Sequence, residues 1–246
     1  MDKAIYVAMS GAKEVLRAQA ANNHNLANAT TTGFRADLTA FMSRAVEGPG
    51  HASRAYATTS AIGWNRDGGA IVSTGRDLDV AVNGEGWIAV QGADGREAYT
   101  RAGNLHVDVN GQLLTATGRP VLGDGGPIAV SPNTSLAIGA DGSISIVPVG
   151  QGPETVSTVA RIKLVNPDPQ TLDRGSDGLF RQQDGAEAPA DAAVRLATGA
   201  LESSNVNAAG AMVNMIELSR QFELQMRSIR TAEEDARAAA SLLRLG

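Results

Sequence analysis

The chain has 246 residues, 43% apolar and 19% charged, with 28 glycines, nine aromatic residues and no cysteine. Apolar content on this scale fills a core and excludes wholesale disorder, while a net charge of −5 removes the basic surplus that nucleic-acid binding draws on. Lack of cysteine excludes disulfides, thiolate metal sites and a cysteine nucleophile.

The opening residues Met1-Asp2-Lys3-Ala4-Ile5 lack the charged-then-apolar order of a secretory leader. No apolar run reaches the ~18 residues of a membrane helix. Glycine then divides the chain. Eighteen of the 28 lie between residues 63 and 152, whereas residues 1–32 hold only Gly11 and residues 201–245 only Gly210. Inside a helix, glycine is about 1 kcal/mol less favourable than alanine. Both ends are therefore predicted helical and the middle is not.

In the first segment Ile5, Met9, Ala12, Leu16, Gln19, Asn23 and Leu26 alternate spacings of four and three, a seam with coiled-coil period. The pattern stops in Asn28-Ala29-Thr30-Thr31-Thr32-Gly33, where β-branched residues and glycine end a helix. Residues 36–75 read as a connecting segment, with His51 solvated beside Gly48-Pro49-Gly50.

Residues 76–200 read as a central antiparallel β-domain. Leu78, Val80 and Val82 alternate with Asp79, Ala81 and Asn83, and Trp87-Ile88-Ala89-Val90 and Leu105 to Val109 follow. Asn83-Gly84, Asp94-Gly95, Asn110-Gly111, Asp124-Gly125 and Asp141-Gly142 punctuate these runs with pairs that tolerate the positive φ of tight hairpins. Residues 161–165 and 178–181 read as further strands, and 185–193 as a loop. Val80, Val82, Trp87 and Tyr99 are the expected core of this domain.

The final segment steps by seven through Ala208, Met215, Phe222, Ile229, Ala236 and Leu243, with a parallel row Ala211, Leu218, Gln225, Ala232 and Ala239 that Gln225 alone interrupts with a polar side chain. Ser203 or Ser204 is the expected cap. Arg220, Arg227, Arg230 and Arg237 interleave with Glu217, Glu223, Glu233 and Glu234, a salt-laced and neutral outer face. The fold class is thus α+β, with long terminal helices and a central antiparallel β-rich domain. Period alone leaves open whether the seams pack on the chain's own sheet, on each other, or on further copies in a non-closing assembly. Residues 1–35 and 201–246 are expected to order only on assembly, since short isolated helices are marginal.

Chemistry-bearing candidates are sparse. His24, His51 and His106 have no metal-ligand spacing. No Gly-x-Ser-x-Gly elbow occurs. Gly123-Asp124-Gly125-Gly126 lacks the lysine of a phosphate loop and reads as turn chemistry. Asp77 and Asp79 read as a solvated strand face, or as interface ion pairs with Arg76 and Arg101, rather than as a carboxylate pair. No catalytic residue, metal ligand or cofactor is expected. A carbohydrate-binding or adhesion-fibre module is the alternative, and it would expose Trp87 and Tyr99.

Asn25-Leu26-Ala27-Asn28-Ala29-Thr30-Thr31-Thr32-Gly33-Phe34-Arg35 resembles the N-terminal signature of bacterial flagellar rod and hook proteins. Leu78 to Val82, Gly86-Trp87, Tyr99 to Asn104 and Gly118 to Ile128 resemble that family's β-block, and Leu201 to Asn207 with Met212 to Glu217 its closing signature. The matches run in family order along nearly the whole chain and look most like the proximal rod branch. His24 departs from it, standing where many relatives carry asparagine. An imidazole replaces one amide hydrogen bond there but not both.

The resemblance implies a structural subunit, exported through the flagellar type III apparatus without a cleaved signal peptide. It would stack helically with its own copies and with other rod proteins, the distal rod protein among them, in the basal-body rod that spans the periplasm. The terminal helices would pair in a layer nearest the axis. Ile5, Met9, Leu16, Leu26, Asn28, Phe34, Met215, Leu218, Phe222 and Ile229 are the expected assembly residues, with Phe222 as the leading anchor. Neither nucleic acid nor membrane insertion is expected.

Overall fold

The computed structural model describes residues 2–45, 55–150 and 154–244. Helix α1 spans Asp2–Ala27 and is followed by β1 (Asp37–Ala45) and β2 (Ala55–Trp64). Short strands follow in order: β3 (Ile71–Ser73), β4 (Val80–Asn83), β5 (Trp87–Gln91), β6 (Glu97–Thr100), β7 (Leu105–Val107), β8 (Leu113–Thr115), β9 (Leu122–Gly123), β10 (Gly126–Pro127) and β11 (Asn133–Ile138). Then come β12 (Ser143–Pro148), β13 (Ser157–Arg161), β14 (Leu164–Val165), β15 (Leu172–Arg174), β16 (Phe180–Gln182), β17 (Arg195–Thr198) and β18 (Ala200–Glu202). Helix α2 closes the chain over Ala208–Arg244. The class is α+β, and the strand pairs are antiparallel.

Two compact units divide the chain. The first draws on Met1–Ala29, Ala36–Asn65 and Val206–Gly246, and so holds both helices and the β1–β2 hairpin. The second draws on Thr30–Arg35 and Arg66–Asn205. One limit coincides with the sequence division at 35/36, while the others fall at 29/30, 65/66 and 205/206 and not at 75/76 or 200/201. Hydrophobic period marks elements, whereas the units follow bonds between distant segments. His51, with Gly48-Pro49-Gly50, and the side chain of Leu243 lie outside the described residues.

In the first unit the helices pair antiparallel. Gly11 of α1 lies against Gln225 of α2, while Asn22 Nδ2 donates to the Ala211 carbonyl at 2.8 Å. A Cβ on Gly11 would stand 2.9 Å from the Gln225 carboxamide carbon. The lone glycine of α1 and the lone polar break in the second row of α2 therefore answer one another. The buried face of α1 is Ala8, Ala12, Val15 and Ala18, a step of four, three and three. It packs on Ala211 and Leu218 of α2, with Phe222 half-buried on the same cluster. The seam read from the sequence is turned by about one residue, ~100° of helix: Ala12 belongs to the buried face, while Met9 is 54% and Leu16 50% exposed. Small side chains let two helices approach closely, so alanines face the partner and the long side chains turn out. α2 is capped later than expected, by Asn207, whose Oδ1 accepts the Gly210 N–H at 3.0 Å. Ser203 is held elsewhere, its N–H on the Ala70 carbonyl.

The second unit is a set of short hairpins around one continuous core. Val80, Val82, Ile88, Val90, Leu105, Leu113, Val121, Ile144 and Ile162 are buried together in it. Its largest sheet runs β14-β5-β6-β16-β15. The expected Asx-Gly turns close β5–β6, β7–β8 and β11–β12, with positive φ at Gly95, Gly111 and Gly142. At Asp124-Gly125, which joins β9 to β10, the positive φ falls one residue later, on Gly126, the first residue of β10. Asn83-Gly84 makes no hairpin, since β4 pairs with the distant β17. Ala81 is as buried as Val80 and Val82. The alternation read from the sequence fails at β4 because both faces of that strand are covered.

Candidate functional site

The N-terminal signature has direct physical content. Asn25 clamps the backbone of Asp37 on both sides: Nδ2 donates to its carbonyl at 2.9 Å and Oδ1 accepts its N–H at 2.7 Å. Asn28 finishes α1, its Nδ2 donating to the His24 carbonyl at 2.9 Å. His24, the departure from the family pattern, uses Nδ1 to reach Asp37 Oδ2 at 2.7 Å. An imidazole thus serves the same residue that Asn25 holds.

The other end of that signature meets the closing signature within the second unit. Arg35 Nη2 lies 2.6 Å from Glu202 Oε1, and Arg101 Nη1 lies 3.1 Å from Glu202 Oε2. Arg35, Arg101 and Glu202 are all buried, the last 2% exposed. Arg101 also donates to the Gly84 carbonyl at 2.8 Å, and its guanidinium stands 5.3 Å over the Trp87 ring. Burial pulls the Arg101 guanidinium below its ordinary value, and Glu202 opposes that shift. Gly33 donates to the Glu202 carbonyl at 2.8 Å. Its positive φ of 67° and its closeness to the Arg101 backbone leave no room for a side chain.

The expected assembly residues fall into three groups. Met9 and Leu16 are half-exposed, on one outer stripe of α1 with Tyr6. Ile5, Leu26, Asn28, Met215, Phe222 and Ile229 are intermediate in exposure. Leu218 is buried within the chain against Val15 and Ala18, and Phe34 stacks under Arg174, whose guanidinium lies 4.8 Å above its ring. On α2 the exposed apolar residues are Met212, Val213, Ile216 and Leu224, which the seven-residue step did not single out. Ile216 lies one residue off that step, Met212 and Leu224 one residue off the second row, and Val213 two residues from either.

The β-domain candidates are core. Val80 and Val82 are buried, and Trp87 packs against Phe180 with centroids 4.5 Å apart. The Tyr99 hydroxyl accepts the Ala188 N–H at 2.7 Å, and burial pushes its phenol well above the ordinary range. Neither aromatic is available as a stacking platform for sugars.

Other polar candidates resolve into local structure. Asp79 is buried rather than solvated. It accepts from Thr74 Oγ1 at 2.7 Å and lies 3.6 Å from Arg76. Arg101, expected beside Asp77 or Asp79, is committed to Glu202 instead. Sequence proximity makes the pairing of Arg76 with Asp79 visible, and only tertiary contact makes that of Arg101 with Glu202. The signal within reach was a charged residue in each matched block: Arg35, Arg101 and Glu202. His106 is exposed on β7. A cleft of about 360 Å³ is lined by Gln91, Glu97, Asp124, Lys163 and Glu187 among others, with Lys163 Nζ 2.7 Å from Glu97. Its lining holds neither histidine nor serine. Among the described residues no acidic or histidine cluster could hold a metal, and no helix is long and apolar enough to cross a membrane.

Two family models match the chain: the flagellar basal body rod FlgEFG protein C-terminal family over residues 197–242, and the flagellar hook protein FlgE/F/G D1 domain over residues 81–146. The chain is 44% identical to the flagellar basal-body rod protein FlgF of Salmonella typhimurium and 45% identical to that of Escherichia coli, each over 99% of both chains. It is 30% identical to the flagellar basal-body rod protein FlgG of Bacillus subtilis, over 99% of this chain and all of that one.

Proposed function

The chain belongs to the flagellar basal-body rod protein family and is a structural subunit of that rod, and on that premise we propose that it builds the proximal part of a torque-transmitting shaft. Copies stack helically with one another and with further rod proteins, including the distal rod protein. The paired terminal helices form the layer nearest the axis and order fully on assembly. The chain passes through the type III export apparatus, works in the periplasmic span of the basal body and carries no catalytic activity.

The observation that carries this reading is the near half-identity to rod proteins over the full length of both chains. The outer stripe of Tyr6, Met9 and Leu16 supports it. Those side chains leave half or more of their surface uncovered, and burial of that surface by a neighbour would be favourable. Electron microscopy of basal bodies from cells lacking the chain provides the test. Basal bodies without a complete rod, restored by the intact gene, are expected; complete rods in its absence overturn the reading.

A further inference from the structure

The chain crosses the limits of the second unit at four places, between residues 29 and 30, 35 and 36, 65 and 66, and 205 and 206. The segments of this unit that lead to all four crossings are bonded around one residue, Glu202. Its Oε1 takes Arg35 Nη2 at 2.6 Å and the Gly69 N–H at 2.9 Å, and its Oε2 takes Arg101 Nη1 at 3.1 Å. Its carbonyl takes the Gly33 N–H at 2.8 Å. The next residues extend the knot. Ser203 N–H donates to the Ala70 carbonyl at 2.8 Å, Asn205 N–H to the Phe34 carbonyl at 3.3 Å, and Asn205 Nδ2 to the Asp67 carbonyl at 2.8 Å. A Cβ on Gly69 would collide with the Ser203 carbonyl, and one on Gly33 with the Arg101 backbone. Backbones at this site are packed against one another with no slack.

We propose that Glu202 is the positioning residue through which load enters the β-region from the segments that lead out of it. The inference rests on the rod-subunit reading. Force carried along the polypeptide into this unit must arrive through segments 30–35, 66–70 and 202–205. Backbone bonds of Glu202, Ser203 and Asn205, with the Asn205 side chain, hold these segments side by side, and the carboxylate adds the charged link that joins Arg35 and the Gly69 N–H to Arg101 of the β-region. Charge-assisted hydrogen bonds are shorter and stronger than neutral ones, and the low local dielectric of a buried site strengthens them further. Glutamine in its place keeps the shape but leaves two buried guanidinium groups without a counter-charge.

The test uses the full chain with Glu202→Gln and, as the charge-retaining comparison, Glu202→Asp. Amide hydrogen exchange at Gly33, Gly69 and Ser203 should accelerate by about tenfold or more in Glu202→Gln, while Ala89 and Val121 in the sheets stay near wild type. Glu202→Asp should recover part of that protection. Cells carrying Glu202→Gln should build complete basal bodies yet lose swimming in viscous medium, with Glu202→Asp restoring some of it. Unchanged exchange at the three amides, equal acceleration across the sheets, or full swimming under load each overturn the proposal. Where Glu202→Gln does not fold, Arg35→Met replaces it: Gly33 should then be released and Ala89 not, and uniform loss overturns the proposal. Complete rods in cells without the chain would sink the rod-subunit reading instead, leaving the exchange pattern to judge the knot by itself.

Discussion

The helix pair and the β-region place their apolar residues in opposite ways. In the β-region the branched residues Ile88, Leu105, Leu113 and Ile144 are wholly buried in a core that belongs to one chain. In the helix pair the buried apolar side chains of α1 are three alanines and one valine, beside a buried Glu14, while Met9, Leu16, Ile216 and Leu224 are exposed. Full burial of a large aliphatic side chain is worth about 1.5–3 kcal/mol, and an alanine contributes far less. The β-region is therefore closed on itself. The helix pair is a contact made largely by small side chains, set in register by Gly11 against Gln225 and by Asn22 on Ala211, with several of its large apolar side chains left exposed. For a subunit that stacks, this division is economical: one region supplies stability and the other supplies surface.

Four experiments would break or sharpen that contrast. The largest effect is expected at the β core. Leu113→Ala removes a wholly buried side chain and should cost about 2–5 kcal/mol in denaturant unfolding. A background of Trp64→Phe leaves Trp87 as the reporter of that transition, and a loss under about 1 kcal/mol would mean that this core is not the seat of stability.

Next in size is Phe222→Asp, which places a charge on the Val15–Ala18–Leu218 cluster. It should weaken the helix pair by about 1–3 kcal/mol, seen as lost helical circular dichroism, with the Trp87 transition unmoved and incorporation into rods blocked. Coincident loss of both signals would show that the two regions do not behave separately.

Smaller still is the double variant Met9→Ser with Leu16→Ser. Both side chains face outward, so monomer stability should move by about 0.5 kcal/mol or less while rod incorporation falls. Normal incorporation would remove this stripe from the assembly surface.

The smallest effect concerns acid. Hydrogen bonds from Ser143, followed by Arg161, hold the Asp141 carboxyl down at about 2, against an ordinary 3.8. A carboxyl depressed in the folded chain stabilises fully above its unfolded value and loses that contribution as pH falls through the folded one. The stability difference between wild type and Asp141→Asn should be flat at neutral pH and shrink between about 4 and 2. Exposure keeps it small. Growth of the difference on acidification would reverse the assignment.

Much of this was legible along the chain. The limits of α1, the hairpins at Gly95, Gly111 and Gly142, and the rod-family signatures follow from residue order, because helix period, turn geometry and glycine cost act over a few residues. The β1–β2 hairpin was not legible. Residues 46–54 between Asp37–Ala45 and Ala55–Trp64 hold Gly48-Pro49-Gly50 but no Asn-Gly or Asp-Gly pair, and the flanking runs read along the sequence as a connection. The inward face of α1 was hidden for another reason: its sequence offers two adjacent stripes, and only the surface of α2 chooses the alanine one.

Local order in the sequence thus determined which stretches become helices, where the hairpins at Gly95, Gly111 and Gly142 turn, and to which family the chain belongs. Tertiary structure alone decided that Arg35, Arg101 and Glu202 share one buried site. Nothing in spacing joins charges from three distant segments. Their meeting depends on burial, where an unpaired guanidinium is too costly to leave without its carboxylate.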